Sequence, residues 1–134
     1  MEKSAKQLNG LTLAYIGDAV YELYIRNYLI KQGIIKANHL HTEAVKYVSG
    51  KAQAKIIHYF LAKDLLTDDE KRIVYRGRNA KSASIPKNIS VQDYRYSTGF
   101  EALVGYLHLT KADDRLKEIF QKSVRLIEGN GFDE

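Results

Sequence analysis

The chain has 134 residues, enough for one domain with a sizeable core, and it contains no cysteine. The absence of cysteine excludes disulfides, thiol nucleophiles and thiolate zinc sites, and it fits a reducing compartment. The sequence has neither a secretory signal nor a run of about 18 apolar residues. We therefore expect a cytoplasmic protein with a single domain over residues 1–134.

Apolar residues recur at helical spacing along the chain, and proline occurs only once. This pattern predicts an all-α fold of six to seven helices. The first predicted helix runs from about Leu11 to about Lys31 and is apolar nearly all round, which indicates a central position. The second and third, over about 37–48 and 51–62, are amphipathic and separate near Gly50.

Three later helices, over about 68–80, 91–109 and 111–128, are predicted from their N-terminal capping signals. In each, a hydroxyl residue is followed three positions later by an acid, as in a capping box. The three pairs are Thr67 with Glu70, Ser90 with Asp93, and Thr110 with Asp113. Residues 82–89, which include the single proline, form the predicted mobile, anion-facing loop between the fourth and fifth helices.

Two acids lie within helix-length apolar runs. Asp18 is the only charged residue between positions 6 and 22, and Glu101 is the only Asp, Glu, Lys or Arg between positions 95 and 111. An ionised carboxylate that faces a packed interior is unfavourable unless a metal or hydrogen-bond donors compensate. Gly17 and Gly105 accompany the two acids, and small residues let helices approach closely. We therefore predict that the first and fifth helices cross there, so that the acids share a cation.

The chemistry of this acid pair indicates the metal. Two oxygen ligands without cysteine favour a hard cation, and Mg²⁺ commonly uses one or two carboxylates together with phosphates and waters. Mn²⁺ is an expected substitute. Because such a metal acidifies water and stabilises phosphate charge, phosphodiester hydrolysis is the leading reaction class. The alternative is a pair of structural, hydrogen-bonded acids. We expect Glu22 to form an ion pair with Arg26.

The charge distribution indicates a polyanionic partner. The net charge is +5, and the segment from Lys71 to Lys87 carries six basic residues and no acid. A solvated charge run is the alternative. The residues that we expect to contact phosphates are Arg76, Arg78, Asn79, Lys81 and Lys87.

Two further patterns are weak. The histidines form no zinc pattern, since His39 and His41 lie two positions apart and point to different sides of a helix. Ser49-Gly50-Lys51 is similar to the end of a phosphate loop, but Val45 and Ala52 stand where such a loop needs glycine and Ser or Thr. We predict neither a zinc site nor nucleotide hydrolysis of that type.

The two acid motifs resemble the catalytic helices of the ribonuclease III family. Residues 15–20, Tyr-Ile-Gly-Asp-Ala-Val, resemble the family's signature helix, and residues 100–105, Phe-Glu-Ala-Leu-Val-Gly, resemble its second catalytic helix. Residues 47–54, 75–81 and 94–99 are similar to the compact Mini-III branch. The resemblance covers most of residues 8–128.

This resemblance implies a single all-helical endonuclease domain that forms a homodimer and cleaves both strands of double-stranded RNA with Mg²⁺. It implies that Asp18 and Glu101 are the catalytic, metal-binding residues. In the Mini-III branch the implied substrate is precursor 23S ribosomal RNA, with a ribosomal protein as a helper.

The chain departs from the full-length ribonuclease III pattern at two acids. The Glu expected four residues before Asp18 is Ala14, and the Asp expected three residues before Glu101 is Thr98. This departure favours one metal ion over a two-ion centre. It leaves open a non-catalytic RNA-binding or ribosome-assembly module, and a structural helical oligomer. We expect no double-stranded RNA-binding domain after the last helix, so the loop from Arg76 to Lys87 would grip the RNA.

Overall fold

The computed structural model of the protein describes residues 4–81 and 84–129, and this part of the chain is helical without any strand. A 3-10 turn, Ala5–Gln7, precedes six α-helices. These are α1 (Gly10–Lys31), α2 (Ala37–Val48), α3 (Gly50–Ala62), α4 (Asp68–Arg78), α5 (Val91–Leu109) and α6 (Asp113–Ile127). The predicted all-α fold is confirmed, and the helices begin and end close to their predicted bounds. Ser82 and Ala83 of the predicted loop lie outside the described residues.

Helix α5 forms the centre of the molecule and buries side chains on all sides, because other helices pack around it. Helix α1 packs against α5 along one side only and leaves Leu11, Tyr15 and Leu23 exposed, so the prediction that α1 is itself central is wrong. The buried Tyr21 ring meets Phe100 of α5 edge-on at 5.1 Å and Phe120 of α6 at 5.5 Å. Its hydroxyl donates to the Tyr47 carbonyl oxygen at 2.8 Å, so α1, α2, α5 and α6 meet around one residue. Within the described chain, none of the helices combines the length and apolarity needed to cross a bilayer.

The three predicted capping signals have different outcomes. Thr67 and Glu70 form a complete capping box at α4, and Ser90 accepts a hydrogen bond from the Asp93 N–H at α5. The prediction for Thr110 is wrong, because this residue ends α5 instead of starting α6. Its hydroxyl donates to the Tyr106 carbonyl oxygen at 2.8 Å, and the chain reverses at the next residue, where φ is 59°. Helix α6 begins without a side-chain cap.

An ion pair that the sequence analysis did not identify holds α4 in place. Arg115 of α6 donates from Nη2 to Glu70 Oε1 at 2.8 Å and to the Leu65 carbonyl oxygen at 2.8 Å. Glu70 is buried, so its charge depends on this partner and on the α4 capping box. The pair joins the start of the basic helix α4 to the C-terminal helix.

Candidate active site

Helices α1 and α5 are in direct main-chain contact at two glycines. A Cβ atom at Gly17 would lie 1.8 Å from the Glu101 carbonyl oxygen, and one at Gly105 would lie 2.0 Å from the Leu13 carbonyl oxygen. No side chain fits at either distance. The predicted helix crossing is therefore confirmed, and it explains why glycine is tolerated inside two helices.

The crossing brings the carboxyl groups of Asp18 and Glu101 together, and they share a hydrogen bond. Their environments differ, since Glu101 is partly buried while Asp18 is exposed. The expectation that both acids face a packed interior is therefore wrong for Asp18. The reason is that α1 leaves one apolar face uncovered, with Leu11, Tyr15 and Leu23 all exposed.

The Glu101 carboxyl is strongly perturbed. Its pKa is raised to about 8. Burial is the largest cause, and the hydrogen bond with Asp18 and the charge of Asp18 act in the same direction, whereas a hydrogen bond from Gln53 lowers the pKa. At neutral pH the Glu101 carboxyl therefore retains its proton when no cation is bound. A divalent cation could replace that proton, and an oxygen-only donor set suits a hard cation such as Mg²⁺.

Among the described residues, the site has two carboxyl groups, those of Asp18 and Glu101. Ala14 and Thr98, at the positions where the family pattern has acids, are both buried, and the Thr98 hydroxyl donates to the Tyr94 carbonyl oxygen. Within residues 4–81 and 84–129, no group of three or more His, Cys, Asp or Glu side chains is arranged to hold a metal. The remaining ligands of a cation here would be waters and substrate oxygens.

Gln53 of α3 contacts Glu101 and was given no role in the sequence analysis. Its side-chain amide donates to Glu101 Oε2 at 3.2 Å and to the Val48 carbonyl oxygen at 3.0 Å. Gln53 is only 2% exposed. One sequence signal could have identified it, because it lies three, four and seven residues before the buried Ile56, Ile57 and Phe60 and so interrupts an apolar helical stripe with an amide.

A cleft of about 590 Å³ opens beside Glu101. It is lined by the junction of α2 with α3, by Pro86, Asn88 and Ile89 of the predicted anion-facing loop, and by α5. Ile89 of the loop packs against Gly50, where a Cβ atom would come within 2.6 Å of the isoleucine methyl group. The cleft therefore brings Glu101 and this part of the loop to one open surface.

Arg78 is the most firmly positioned of the predicted phosphate-binding residues. Its guanidinium lies 4.3 Å from the Tyr75 ring centroid, and Nη1 donates to the Tyr96 hydroxyl at 3.0 Å. Its Nε donates to the Asn79 side-chain oxygen, also at 3.0 Å. Arg78 and Asn79 thus form one unit whose charge is held in a fixed place at the end of α4.

The other basic residues of the segment are in different situations. Arg76 Nη1 donates to the carbonyl oxygens of Lys6 and Leu8 at 2.6 and 3.0 Å, so it also anchors the N-terminal segment. Lys81 and Lys87 are exposed. Lys71 pairs with Asp64, and Arg72 pairs with Asp69. Both acids precede the basic run in the sequence, and they neutralise part of its charge.

Three minor candidates have structural roles. Glu22 forms the expected ion pair with Arg26, with a distance of 3.0 Å from Oε2 to Nη2. Ser49 caps α3 by accepting a hydrogen bond from the Ala52 N–H. His58 lies 3.4 Å from an aspartate carboxyl of α5 and belongs to no metal cluster among the described residues.

The chain is similar to known proteins in both sequence and fold. The model of the Ribonuclease III domain matches residues 11–112. Proteins named Mini-ribonuclease 3 are similar over most of the chain. The one from Enterococcus faecalis is 52% identical over 122 residues, covering 91% of this chain and 92% of the relative. The one from Thermoanaerobacter sp. is 54% identical over 121 residues, covering 90% and 84%. A crystal structure of a Fusobacterium nucleatum protein has a TM-score of 0.82 at 29% identity, and the match covers 97% of this chain and 100% of that chain.

Proposed function

This chain belongs to the ribonuclease III family and is a double-strand-specific endoribonuclease, and we propose that Asp18 and Glu101 are its catalytic, metal-binding residues. The observation that carries the proposal is the hydrogen-bonded carboxyl pair at the crossing of α1 and α5. The proposed reaction is Mg²⁺-dependent hydrolysis of phosphodiester bonds, with Mn²⁺ as a substitute.

The two acids would have different tasks. Asp18 is exposed and can meet the cation and the substrate from the open side, while Glu101 holds the inner side next to the cleft. Mg²⁺, when bound, would lower the pKa of a water molecule and offset the charge on the phosphate under attack. With two carboxylates in the site, the phosphate oxygens of the RNA complete the donor set, which favours one ion per site.

We also propose that the segment from Arg76 to Lys87 holds the RNA. The fixed Arg78–Asn79 unit and the exposed Lys81 and Lys87 are the candidate phosphate contacts, and Arg76 would add its charge from the anchored N-terminal side. An A-form duplex presents phosphates and 2′-hydroxyl groups across its minor groove, so these contacts would select shape more than sequence.

A homodimer is the proposed assembly. The outer face of α1 leaves large apolar side chains in water, among them Tyr15 at 83% and Leu23 at 61% exposure. Contiguous exposed apolar surface is typical of protein interfaces. Asp18 lies on the same side of α1 as Tyr15, so a second copy packed there would set two acid sites side by side, one for each RNA strand.

We propose precursor 23S ribosomal RNA as the biological substrate, with a ribosomal protein as helper and the cytoplasm as the place of action. The support is the similarity to proteins named Mini-ribonuclease 3 and the resemblance to the Mini-III branch. Cells without this protein should accumulate 23S RNA with uncut paired ends. Wild-type protein should restore trimming, and the Asp18→Asn variant should not.

The central test is cleavage of a long RNA duplex in Mg²⁺ by the full chain. Asp18→Asn and Glu101→Gln should each lower the rate by at least about 100-fold, because each removes a ligand of the cation. Glu22→Gln is the matched control, since it neutralises an acid one turn away on α1 that is paired with Arg26. This control should keep near-wild-type activity, and a chelator should stop the wild-type reaction reversibly.

Full activity in either acid variant would overturn the assignment of the site. Duplex binding by the wild-type protein without any cleavage in Mg²⁺ or Mn²⁺ would instead identify a non-catalytic RNA-binding module.

A further inference from the structure

We propose that Gln53 is a positioning residue that fixes the Glu101 carboxylate in the orientation required to bind a divalent cation. The proposal rests on the proposed function of the Asp18–Glu101 pair and adds a third residue, from a different helix, to that site.

The first observation is the double use of one amide nitrogen. Gln53 Nε2 donates one hydrogen to the Val48 carbonyl oxygen and the other to Glu101 Oε2. The Val48 oxygen is main chain and lies at the end of α2, so it does not move with the acid. Because the first hydrogen bond fixes the amide, the second donor points at Glu101 in a constant direction.

The second observation is that the amide is not the side chain that packing alone would favour here. Gln53 is almost completely buried, and its Oε1 has no hydrogen-bond partner among the described residues. A buried acceptor without a partner is unfavourable, and an apolar side chain of the same length would avoid this penalty. The glutamine therefore indicates a requirement for its donor, and Glu101 receives that donor.

The third observation is the location of the contact. Glu101 Oε2 receives the Gln53 hydrogen bond on the side of α3, while the carboxyl group also contacts Asp18 on α1. Glu101 is thus held between two helices. A donor to a carboxylate stabilises the ionised form, which is the form that binds metal, and it also restricts rotation of the group.

The competing explanation is that Gln53 serves only to cap the end of α2 through Val48. Ser49→Ala tests this explanation, because it weakens the same junction by removing the α3 cap at Ala52 and does not touch Glu101. A purely structural role predicts that both changes act alike on thermal stability and leave cation affinity unaltered in the folded protein.

The experiment measures Mn²⁺ binding to the full chain without RNA, by calorimetry or electron paramagnetic resonance, together with thermal unfolding. Gln53→Met keeps the length of the side chain and removes the donor. We expect the dissociation constant for Mn²⁺ to rise about 10-fold to 100-fold in Gln53→Met. Ser49→Ala should bind Mn²⁺ as the wild-type protein does, and Asp18→Asn should show no specific binding. In cleavage assays, Gln53→Met should need a correspondingly higher Mg²⁺ concentration for half-maximal rate.

Unchanged Mn²⁺ affinity in Gln53→Met, alongside lost affinity in Asp18→Asn, would overturn the inference while leaving the proposed function intact. Failure of the wild-type protein to bind Mn²⁺ and cleave duplex would overturn both. Gln53→Leu provides a second apolar replacement if Gln53→Met does not fold, with the same two outcomes.

Discussion

At the scale of single residues, the site depends on an asymmetry between two acids. Glu101 is partly buried and has a raised pKa, whereas its neighbour Asp18 is exposed to solvent. Burying an acid beside a second acid is unfavourable unless something is gained, and the proposed gain is a cation bound between the two groups.

The first prediction concerns pH and Glu101. Its pKa lies near 8 in the folded protein and near 4.5 when unperturbed, so the folded protein retains a proton that the unfolded chain releases. The contribution of Glu101 to the free energy of unfolding is therefore fully present below about pH 4.5, and it is lost progressively as the pH rises through 8. The glutamine in Glu101→Gln cannot ionise. Without divalent cations, the free energy of unfolding of this variant minus that of the wild-type protein should therefore increase by about 2 kcal/mol or more between pH 5 and pH 9.

Thermal or urea unfolding in a chelating buffer measures this difference. Glu22→Gln, which removes a partly exposed acid paired with Arg26, should show no comparable rise. At high pH, Mg²⁺ should reduce the difference in free energy of unfolding between Glu101→Gln and the wild-type protein, because it stabilises the wild-type protein. A Glu101→Gln difference that is constant with pH would contradict the prediction.

At the scale of secondary structure, the same kind of residue has opposite roles in different helices. Thr67 starts α4, but Thr110, with a similar sequence context, ends α5 because its hydroxyl bonds back to the preceding turn. Local sequence does not distinguish the two cases, since the difference depends on where the following chain can pack. Helix α4 is further held by the Glu70–Arg115 pair, which no local pattern reveals.

The second prediction tests that pair. Glu70→Ala removes the buried partner of Arg115 and half of the α4 capping box, and it should lower the free energy of unfolding by about 2–4 kcal/mol. Glu118→Ala is the matched control, since Glu118 contacts the same arginine at 2.9 Å in an exposed position. It should cost less than about 1 kcal/mol. Equal losses in urea unfolding would show that burial of Glu70 is not decisive.

At the scale of the whole molecule, two surfaces carry the proposed contacts: the basic segment is the proposed RNA-binding surface, and the uncovered face of α1 is the proposed dimer interface. Part of the basic run is neutralised by Asp64 and Asp69, so net charge overstates the surface available for phosphates. The charges that remain lie at the end of α4 and along the loop beside the cleft.

The third prediction compares two basic residues of α4. Arg78→Ala should weaken binding to duplex RNA and reduce the slope of log K against log salt by about 1, the effect of losing one phosphate contact. Lys71→Ala is the control, because Lys71 is paired with Asp64. Its binding and salt slope should change much less. The measurement is the affinity for a labelled duplex at several salt concentrations, without divalent cations. Identical salt slopes in both variants would argue against a phosphate contact by Arg78.

The fourth prediction concerns the homodimer. Tyr15→Lys places a charge on the exposed apolar face of α1, so it should convert the protein to a monomer while the helical content stays constant. Light scattering after size-exclusion chromatography gives the mass, and circular dichroism checks the fold. Lys31→Ala, at the far end of α1, should remain dimeric. A dimer in Tyr15→Lys, or a monomer in the wild-type protein, would place the interface elsewhere or remove it.

The sequence by itself determined the helices and the two central acids of this protein. Apolar periodicity at 3.6 residues predicts the helices directly, and Asp18 and Glu101 stand out because each is the only charged residue within an apolar run of its helix. The pairing of Gly17 with Gly105 was also predictable, since glycine inside a helix needs a packing reason.

Only the tertiary structure decided which neighbours surround these residues. Three contacts join parts of the protein that are distant in the chain: the hydrogen bond from Gln53 to Glu101, the anchoring of the N-terminal segment by Arg76, and the pairing of Arg115 with Glu70. The exposure of Asp18 likewise depends on which side of α1 the other helices cover. Periodicity shows that a face is buried but not what it is buried against. Contacts between elements depend on how the helices are arranged in space, so local residue patterns do not contain them.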